Sequence, residues 1–358
     1  MMTRTASEAC LETRTGLSVA ANSGTDSRIK SSIKYPLPFL LALAVFISLP
    51  RFASSQDSSS SQNKPSDNYT IRMNADLVVL SATVLDRHNA LVSGLNKEEF
   101  QVYENQVLQH ITHFSHEDIP VAVGLVIDNS ASMAHKRADV IAAALSFAQL
   151  SNPQDQMFVV NFNEHVTYGL PSGMPFTDRR DQLHLALSTI KSIGETALYD
   201  AIATALEHLK QSNCDKKVLI LISDGGDNAS THSLAQVIEM AKHSTAIIYT
   251  IGMIDERDGD QNPGLLRRFA KETGGEAFFP ESSKEISSIC EGIARDIRNQ
   301  YTLAYAPVIT VRDGGYRAVD VHASAPGHGH LSVRTRTGYF LPSVSSPQPA
   351  AIRHDSHN

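Results

Sequence analysis

The sequence has no tryptophan, few cysteines and no excess of basic residues. It contains 31 Lys and Arg against 38 Asp and Glu, so the formal net charge of the 358 residues is -7. Nucleic acids are bound by basic surfaces, and no basic run offsets this acidic balance. The composition therefore argues against a nucleic-acid partner.

Sequence motifs of several common enzyme classes are also missing. The chain contains no G-x-S-x-G nucleophile turn, no G-x-x-x-x-G-K-[ST] phosphate loop and no H-E-x-x-H metal pair. Each of these patterns places catalytic groups in a fixed geometry, so a chain without them lacks the corresponding site. We accordingly expect a protein that is not an enzyme.

The first 55 residues have the order of a secretory signal segment. Basic residues precede an apolar stretch from Phe39 to Ile47, and small residues follow at positions 53–55. The stretch is shorter than the about 20 residues that a membrane-spanning helix needs. We therefore predict export to the periplasm, the cell surface or the medium. A membrane anchor through residues 37–49 is the alternative.

Removal of this segment would leave two cysteines, Cys214 and Cys290. Two cysteines are too few for a cysteine metal site. In an exported protein they could form a disulfide, but both fall in or beside predicted helices, where a free buried cysteine is common. The sequence leaves both interpretations open.

The rest of the chain, with 42% hydrophobic residues, has the composition of a globular protein and the length of two or more domains. Residues 56–68 are typical of a flexible linker, and residues 343–358 of a disordered tail. Residues 69–117 predict an N-terminal β unit, and residues 298–342 contain further candidate strands. Because each β segment is too small to bury a core, we expect them to complete one sandwich around an inserted domain.

Alternating polar and apolar residues place strands within the two β segments. The pattern predicts strands over residues 77–85 and 100–103. It also predicts one strand over residues 109–114 and one over residues 331–340.

Residues 119–297 alternate between apolar strands and segments of helical periodicity. Residues 121–127 and 218–222 are nearly continuous apolar runs, as strands buried on both faces require. Residues 140–150 have helical spacing. The alternation predicts an α/β fold with a doubly wound, mainly parallel, Rossmann-like sheet. Ligands of such sheets bind beyond the carboxyl ends of the strands.

The most informative pattern follows the first of these strands, at Asp128, Ser130 and Ser132. The spacing D-x-S-x-S lets alternate residues of a turn direct one carboxylate and two hydroxyls at one point. Three hard oxygens suit Mg²⁺ or Mn²⁺. Thr196 precedes an apolar helix and Asp224 follows a strand. Taken singly, each residue is explained as a helix cap or a turn residue, and only the combination indicates a metal site.

These three segments, in this order, resemble the von Willebrand factor type A domain and its metal-ion-dependent adhesion site. In that family the metal is held by D-x-S-x-S, then a Thr, then an Asp. The corresponding residues here are Asp128, Ser130, Ser132, Thr196 and Asp224. The resemblance implies that residues 119–297 form such a domain. It also implies that these residues bind Mg²⁺ or Mn²⁺ and that the cation binds a carboxylate of a protein partner.

Two further expectations depend on this resemblance. Neighbours of the metal residues should form the rim that contacts the partner, namely Asn129, Met133, Glu195, Tyr199 and Asn228. The flanking segments, including the ending Arg336 to Phe340, resemble the exported VWFA-related proteins best known from acidobacteria. That second resemblance supports the domain layout and implies little about function.

Other functions remain open at the level of the sequence. The protein could be a structural scaffold in which the metal serves only stability. A metal-assisted hydrolase at Asp128 is a weaker alternative, because the sequence places no His or Glu nearby as a base.

Overall fold

The computed structural model of the protein describes residues 77–188, 191–255, 261–282, 284–308 and 314–341. These residues belong to the second of the chain's two compact units, residues 71–358. The predicted signal segment, linker and tail lie outside the described residues.

Strands and helices of the described residues follow the predicted order closely. The strands are β1 (Val78–Leu85), β2 (Phe100–Glu104), β3 (Val107–Gln109), β4 (Ile111–Ser115), β5 (Val121–Asp128), β6 (Gln156–Phe162), β7 (Val166–Tyr168), β8 (Lys216–Ser223), β9 (Ile247–Gly252), β10 (Ala277–Phe278), β11 (Tyr301–Tyr305), β12 (Tyr316–Ala323), β13 (Ser332–Arg334) and β14 (Gly338–Phe340). The helices are α1 (Arg137–Leu150), α2 (Arg180–Ser188), α3 (Leu198–His208), α4 (Leu234–His243), α5 (Pro263–Thr273) and α6 (Glu285–Arg298).

The central sheet has six strands in the order β10-β9-β8-β5-β6-β7. All neighbours pair in parallel except β7, which runs antiparallel to β6 at the edge. Every residue of β5 is buried, which is why its sequence is continuously apolar up to Asp128. The predicted α/β fold with a mainly parallel sheet is confirmed.

Local signals in the sequence define two of the helices that cover this sheet. Ser233 and Gln236 form a capping box at the start of α4. At the start of α5, the Asn262 side chain accepts a hydrogen bond from the Leu265 backbone N–H, and Pro263 follows. The helix ends at Gly274, whose left-handed φ of 85° favours glycine.

Strands from both sides of the α/β segment pair with each other in two antiparallel sheets. Their orders are β13-β1-β11-β4 and β14-β12-β2-β3. Leu80 of β1 faces Leu303 of β11, and Val102 of β2 faces Val321 of β12. Buried side chains of both sheets form one shared hydrophobic core, separate from the core of the α/β sheet. The two β segments therefore build a sandwich together.

Two of the predicted strands are wrong in extent, because each of these segments changes sheet. Residues 109–114 divide at His110 into β3 and β4, and residues 331–340 divide into β13 and β14. The linking residues of the second segment bond to other elements. Thr335 Oγ1 donates to the Ser81 carbonyl over 2.8 Å, and the Arg336 guanidinium donates to the Lys242 carbonyl over 2.6 Å. Alternation along one segment does not reveal such a change of partner.

A buried polar cluster joins the end of α6 to the sandwich. The Asp296 carboxylate accepts hydrogen bonds from Thr83 Oγ1 over 2.7 Å and from the Tyr249 hydroxyl over 2.8 Å, and it also pairs with Arg334. Nearby, Arg298 pairs with Asp155 and donates to Asp118 over 2.7 Å. The inserted domain therefore contacts the sandwich through ionic groups held at its last helix.

Cys214 and Cys290 are both free thiols, so the pairing that the sequence left open does not form in this structure. Within the described parts of the chain, no helix has the length and apolar character needed to cross a bilayer.

Candidate metal site

The candidate site lies where the two central strands of the α/β sheet end. β5 and β8 are parallel neighbours, and Ile127 pairs with Ile222 one residue before each strand reaches its polar end. Asp128 is the last residue of β5, and Asp224 follows directly after β8. The parallel register therefore brings two carboxylates from distant parts of the sequence to one edge of the sheet.

The Asp128 carboxylate is almost completely buried, with 3% of the residue exposed. One oxygen accepts the Ser130 backbone N–H over 2.8 Å, and the other accepts the Ser223 hydroxyl over 2.6 Å. Burial raises the pKa of Asp128 to about 6, and the charge of Asp224 adds to that effect, whereas the hydrogen bonds from Ser130 and Ser223 oppose it. A nearby cation would favour the charged carboxylate.

The two serines connect this carboxylate to Asp224. The backbone turns at a short 3-10 helix, Ala131–Met133. The Ser130 and Ser132 hydroxyl oxygens lie 3.1 Å apart at this turn. The Ser132 hydroxyl donates to Asp224 Oδ2 over 2.6 Å, and Asp224 Oδ1 accepts the Gly226 backbone N–H over 3.0 Å. Four of the five predicted metal residues therefore form one hydrogen-bonded cluster.

Thr196, the fifth predicted residue, lies on the loop before α3 and is 7% exposed. Its backbone N–H donates to the Asn228 side-chain oxygen over 2.8 Å, and its carbonyl accepts the Asn228 N–H over 3.0 Å. Two residues earlier, the Gly194 carbonyl accepts the Ala131 N–H over 3.2 Å. Backbone bonds thus hold the Thr196 loop against both the serine turn and the loop after β8.

The predicted rim is corrected at Asn129 and Met133. Both residues are 1% exposed, so neither can contact a partner. The Asn129 amide donates to the Ile127 carbonyl over 3.0 Å and to Asn161 over 3.2 Å, and its oxygen accepts from Arg137. Met133 packs in the core of the α/β sheet. Both side chains therefore belong to the interior of the domain and not to a surface around the site.

The other predicted rim residues lie at the surface beside the site. Glu195 and Asn228 are exposed, and Tyr199 is half-buried. The Tyr199 backbone N–H donates to Asp227, which also accepts the Ser230 hydroxyl over 2.5 Å. Asp227 therefore stabilises the start of α3 and the following loop.

Sequence reasoning missed two residues that shape the site. Ser223 donates to Asp128, and the available signal was its position just before Asp224 at the end of an apolar strand. The Glu164 carboxylate accepts the Glu195 N–H over 3.1 Å. A Cβ at Gly194, whose φ is 83°, would lie 1.5 Å from Glu164 Oε2, so this close approach requires glycine. No sequence pattern indicates that contact.

The spacing of the Ser130, Ser132 and Asp224 side-chain oxygens fits a small divalent cation. Neighbouring ligands of an octahedral Mg²⁺ site with metal–oxygen distances of about 2.1 Å lie about 3 Å apart. The separations of 3.1 Å between the two serine hydroxyls and 2.6 Å between Ser132 and Asp224 are close to that value. Within the described ranges, no group of three or more His, Cys, Asp or Glu could hold a metal ion, and the candidate site itself combines two carboxylates with hydroxyl groups. Carboxylate and hydroxyl oxygens are also the donors that Mg²⁺ and Mn²⁺ prefer.

Comparison with known proteins locates a family match around this site. The family model of the von Willebrand factor type A domain matches residues 123–291. A search of curated proteins gives no match.

Three solved structures are similar to this chain. A von Willebrand factor type A protein from Catenulispora acidiphila is 14% identical, with 76% of each chain covered and a TM-score of 0.46. The vWF domain of the type V pili tip protein Mfa5 from Porphyromonas gingivalis is 16% identical over 50% of this chain and 95% of that chain, with a TM-score of 0.43. An aerotolerance-related membrane protein from Bacteroides fragilis is 16% identical over 49% of this chain and 98% of that chain, with a TM-score of 0.41.

The family match covers β5 from Val123 to Asp128, the serine turn that follows, the Thr196 loop, and the end of β8 at Asp224. Residues 123–291 therefore match the von Willebrand factor type A domain.

Proposed function

We propose that the protein is an exported, non-enzymatic binding module that binds an acidic group of a partner protein through Mg²⁺ or Mn²⁺. The observation that carries the proposal is the hydrogen-bonded cluster that joins Asp128 through Ser130 and Ser132 to Asp224. The acidobacterial resemblance and the export signal remain predictions from the sequence.

The donor set explains why the partner group would be acidic. In this proposal Asp128, Ser130, Ser132, Thr196 and Asp224 hold the cation. Only two of these residues carry charge, and the three hydroxyls are neutral. An octahedral Mg²⁺ held by these residues would keep at least one water ligand, which a carboxylate oxygen of a partner can replace. The cation thus supplies the positive charge that attracts the partner's Asp or Glu.

The surroundings of the site favour binding over hydrolysis. A hydrolase would need a base within hydrogen-bond reach of an attacking water. The Glu164 carboxylate is engaged by the Glu195 N–H, and Asp227 is engaged by Tyr199 and Ser230. We therefore propose that neither group serves as a base.

Calorimetric titration of Mg²⁺ and Mn²⁺ into the protein and into Asp128→Ala is the direct test. We expect saturable binding at one site in the wild-type protein and loss of that binding in the variant. Asp215→Asn is the matched control, because Asp215 is an exposed carboxylate before the opposite end of β8 and should leave the affinity unchanged. Unaltered binding in Asp128→Ala would contradict the assignment of the metal site.

A second measurement addresses the acidic partner. Peptides that carry one Glu or Asp, and matched peptides with Gln or Asn, are immobilised and exposed to the protein with Mg²⁺ or with a chelator. Retention only on the acidic peptides, and only with Mg²⁺, would support the proposal. Equal retention on both kinds of peptide would contradict a carboxylate-directed site.

The scaffold alternative makes a different prediction for the same variant. If the metal served only stability, Asp128→Ala would lower the unfolding temperature in Mg²⁺ and leave retention on acidic peptides unaffected. If the site binds partners, retention is lost while the fold persists. Circular dichroism of the variant beside the peptide assay separates the two outcomes.

Export is tested by fractionating cells that express the chain with a C-terminal tag. We expect the tagged protein outside the cytoplasm with residues 1–55 removed. Recovery in the membrane fraction with those residues retained would instead support the anchor through residues 37–49.

A further inference from the structure

A second cleft lies at the end of the α/β domain opposite to the metal site. It has a volume of about 570 Å³. One side is the outer face of the sheet β13-β1-β11-β4, and the other is formed by residues at the amino ends of β8 and β9. Its volume is within the range of about 300–1,000 Å³ that is usual for small-molecule sites.

The sheet side of the cleft carries a row of three hydroxyls. Ser81 of β1 pairs with Thr302 of β11, and Thr302 pairs with Ser115 of β4. Residues in register on neighbouring strands lie on the same face, about 4.8 Å apart. All three line the cleft and are half-buried, and in the described part of the chain their hydroxyls make no hydrogen bond with a protein group. They are therefore free to bond a ligand.

Two cations border this row without a carboxylate partner among the described residues. Arg336 donates to the Gly338 carbonyl over 2.7 Å and to the Lys242 carbonyl, both of them neutral acceptors. Lys217, at the second position of β8, is half-buried and lines the same cleft. A buried or half-buried cation without a counter-ion favours binding of an anion.

The other charged groups of the cleft do not cancel these cations. Lys216 also lines the cleft, and its ammonium donates to the Ile297 carbonyl over 2.9 Å. Glu117 and Asp215 lie at the exposed margin, where water screens their charge. The interior therefore combines positive charge with hydroxyl donors.

We propose that this cleft binds a small ligand that carries an oxyanion, either a phosphate or a carboxylate. Lys217 and Arg336 supply the charge, and Ser81, Thr302 and Ser115 donate hydrogen bonds to the anionic oxygens. The site is independent of the metal site. Lys217 and Asp224 stand near opposite ends of β8, whose eight residues span about 23 Å.

Calorimetric titration of inorganic phosphate and, separately, of succinate into the metal-free protein at low salt tests the proposal. We expect saturable binding of at least one of the two anions at a single site, and the tighter of the two identifies the ligand class. Lys217→Gln and Thr302→Val should each weaken binding by about tenfold or more, because each removes a charge or a donor from the cleft. Raising the salt concentration should weaken binding as well.

Lys210→Gln is the matched control. Lys210 is an exposed lysine that pairs with Glu207 over 2.5 Å and does not line this cleft. The anion affinity of the Lys210→Gln variant should equal that of the wild-type protein. The Mg²⁺ affinity should be unchanged in Lys217→Gln and Thr302→Val. The proposal is overturned if neither anion binds saturably, if either cleft variant keeps the wild-type affinity, or if Lys210→Gln weakens binding as much as Lys217→Gln.

Discussion

At the scale of single residues, Ser223 shows how a side chain can act through a neighbour. Its hydroxyl donates to Asp128 over 2.6 Å and accepts the Gly225 N–H over 3.0 Å. It therefore orients the carboxylate and shapes the loop that carries Asp224. Groups that orient a metal ligand in this way commonly contribute about 10–100-fold in metal affinity.

We predict that Ser223→Ala weakens Mg²⁺ binding by about 10–100-fold, because Asp128 loses the bond that orients it. Ser212→Ala is the matched control. The Ser212 hydroxyl makes the same pair of bonds away from the site, to the Gln156 side chain over 2.7 Å and from the Cys214 N–H over 3.1 Å. Both variants should lose about 1 kcal/mol of stability, but only Ser223→Ala should lose metal affinity. Calorimetry and denaturant unfolding measure the two effects, and equal metal affinity in both variants would contradict the role of Ser223.

Lys216 is a second residue whose surroundings have a measurable consequence. It is 5% exposed, and burial lowers its pKa to about 8, with the charge of Arg298 adding to the effect and nearby aspartates opposing it. Between about pH 8 and the ordinary lysine value near 10.5, the unfolded chain binds more protons than the folded chain. The contribution of Lys216 to stability must therefore rise with pH across this window.

We predict that Lys216→Met removes this dependence. Relative to the variant, the wild-type protein should gain up to about 3 kcal/mol between about pH 7 and about pH 10. Denaturant unfolding of both proteins at the two pH values gives the difference directly. The comparison cancels the titration of the tyrosines, which is common to both. A constant difference between the two proteins would show that Lys216 titrates normally.

At the scale of elements, the packing of β5 between β6 and β8 requires a glycine at position 124. A Cβ at Gly124 would lie 2.4 Å from the Phe158 ring of β6 and 2.6 Å from the Leu219 side chain of β8. The backbone at this position is ordinary for any residue, so the requirement for glycine comes from packing alone. The large side chains of Phe158 and Leu219 occupy the space beside Gly124, the residue of β5 that has no side chain.

Gly124→Ala should therefore destabilise the protein by about 1–3 kcal/mol through overpacking. Gly292→Ala on α6 is the control, because its Cβ would meet nothing within 4 Å. In a helix, that change should be neutral or stabilising by up to about 1 kcal/mol. Thermal or denaturant unfolding distinguishes the two. Smaller side chains at Phe158 should reduce the cost of Gly124→Ala, which a double-mutant cycle with Phe158→Leu measures.

At the scale of the whole molecule, the α/β domain is an insertion into the sandwich. The chain leaves the sandwich after β4 and returns into β11, which pairs with β4 through Phe114 and Leu303. Entry and exit of the domain are thus adjacent, and Arg298 and Asp118 form an ion pair across them. The sandwich, in contrast, depends on strands from both ends of the described chain.

Removal of residues 300–358 tests this organisation. β1 would lose both of its neighbours, β11 and β13, and β2 would lose β12. We predict that residues 77–117 then become sensitive to protease, while the α/β domain stays protected and keeps its Mg²⁺ affinity. Limited proteolysis with mass spectrometry locates the cleavages. Removal of residues 342–358 alone retains every strand named above and should leave the sandwich protected.

Much of the fold and part of the site are encoded in local patterns. Continuous apolar runs predicted β5 and β8 because both faces of these strands are covered, and capping residues defined α4 and α5. The sequence pattern also indicates one shared site, formed by Asp128, Ser130, Ser132, Thr196 and Asp224. A parallel sheet brings the ends of adjacent strands together, so strand-end residues converge whatever their separation in sequence.

Tertiary packing alone decided the remaining features. It buried Asn129 and Met133, and it placed Ser223 and Glu164 beside the site. It divided residues 331–340 between two sheets and aligned Ser81, Thr302 and Ser115 across three strands. Sequence patterns report which faces of an element are apolar, but strand pairing and the direction of a turn's side chains depend on partners that are distant in the chain. The sequence by itself therefore determined the α/β domain and its strand-end oxygens, and the tertiary structure decided which other groups surround them.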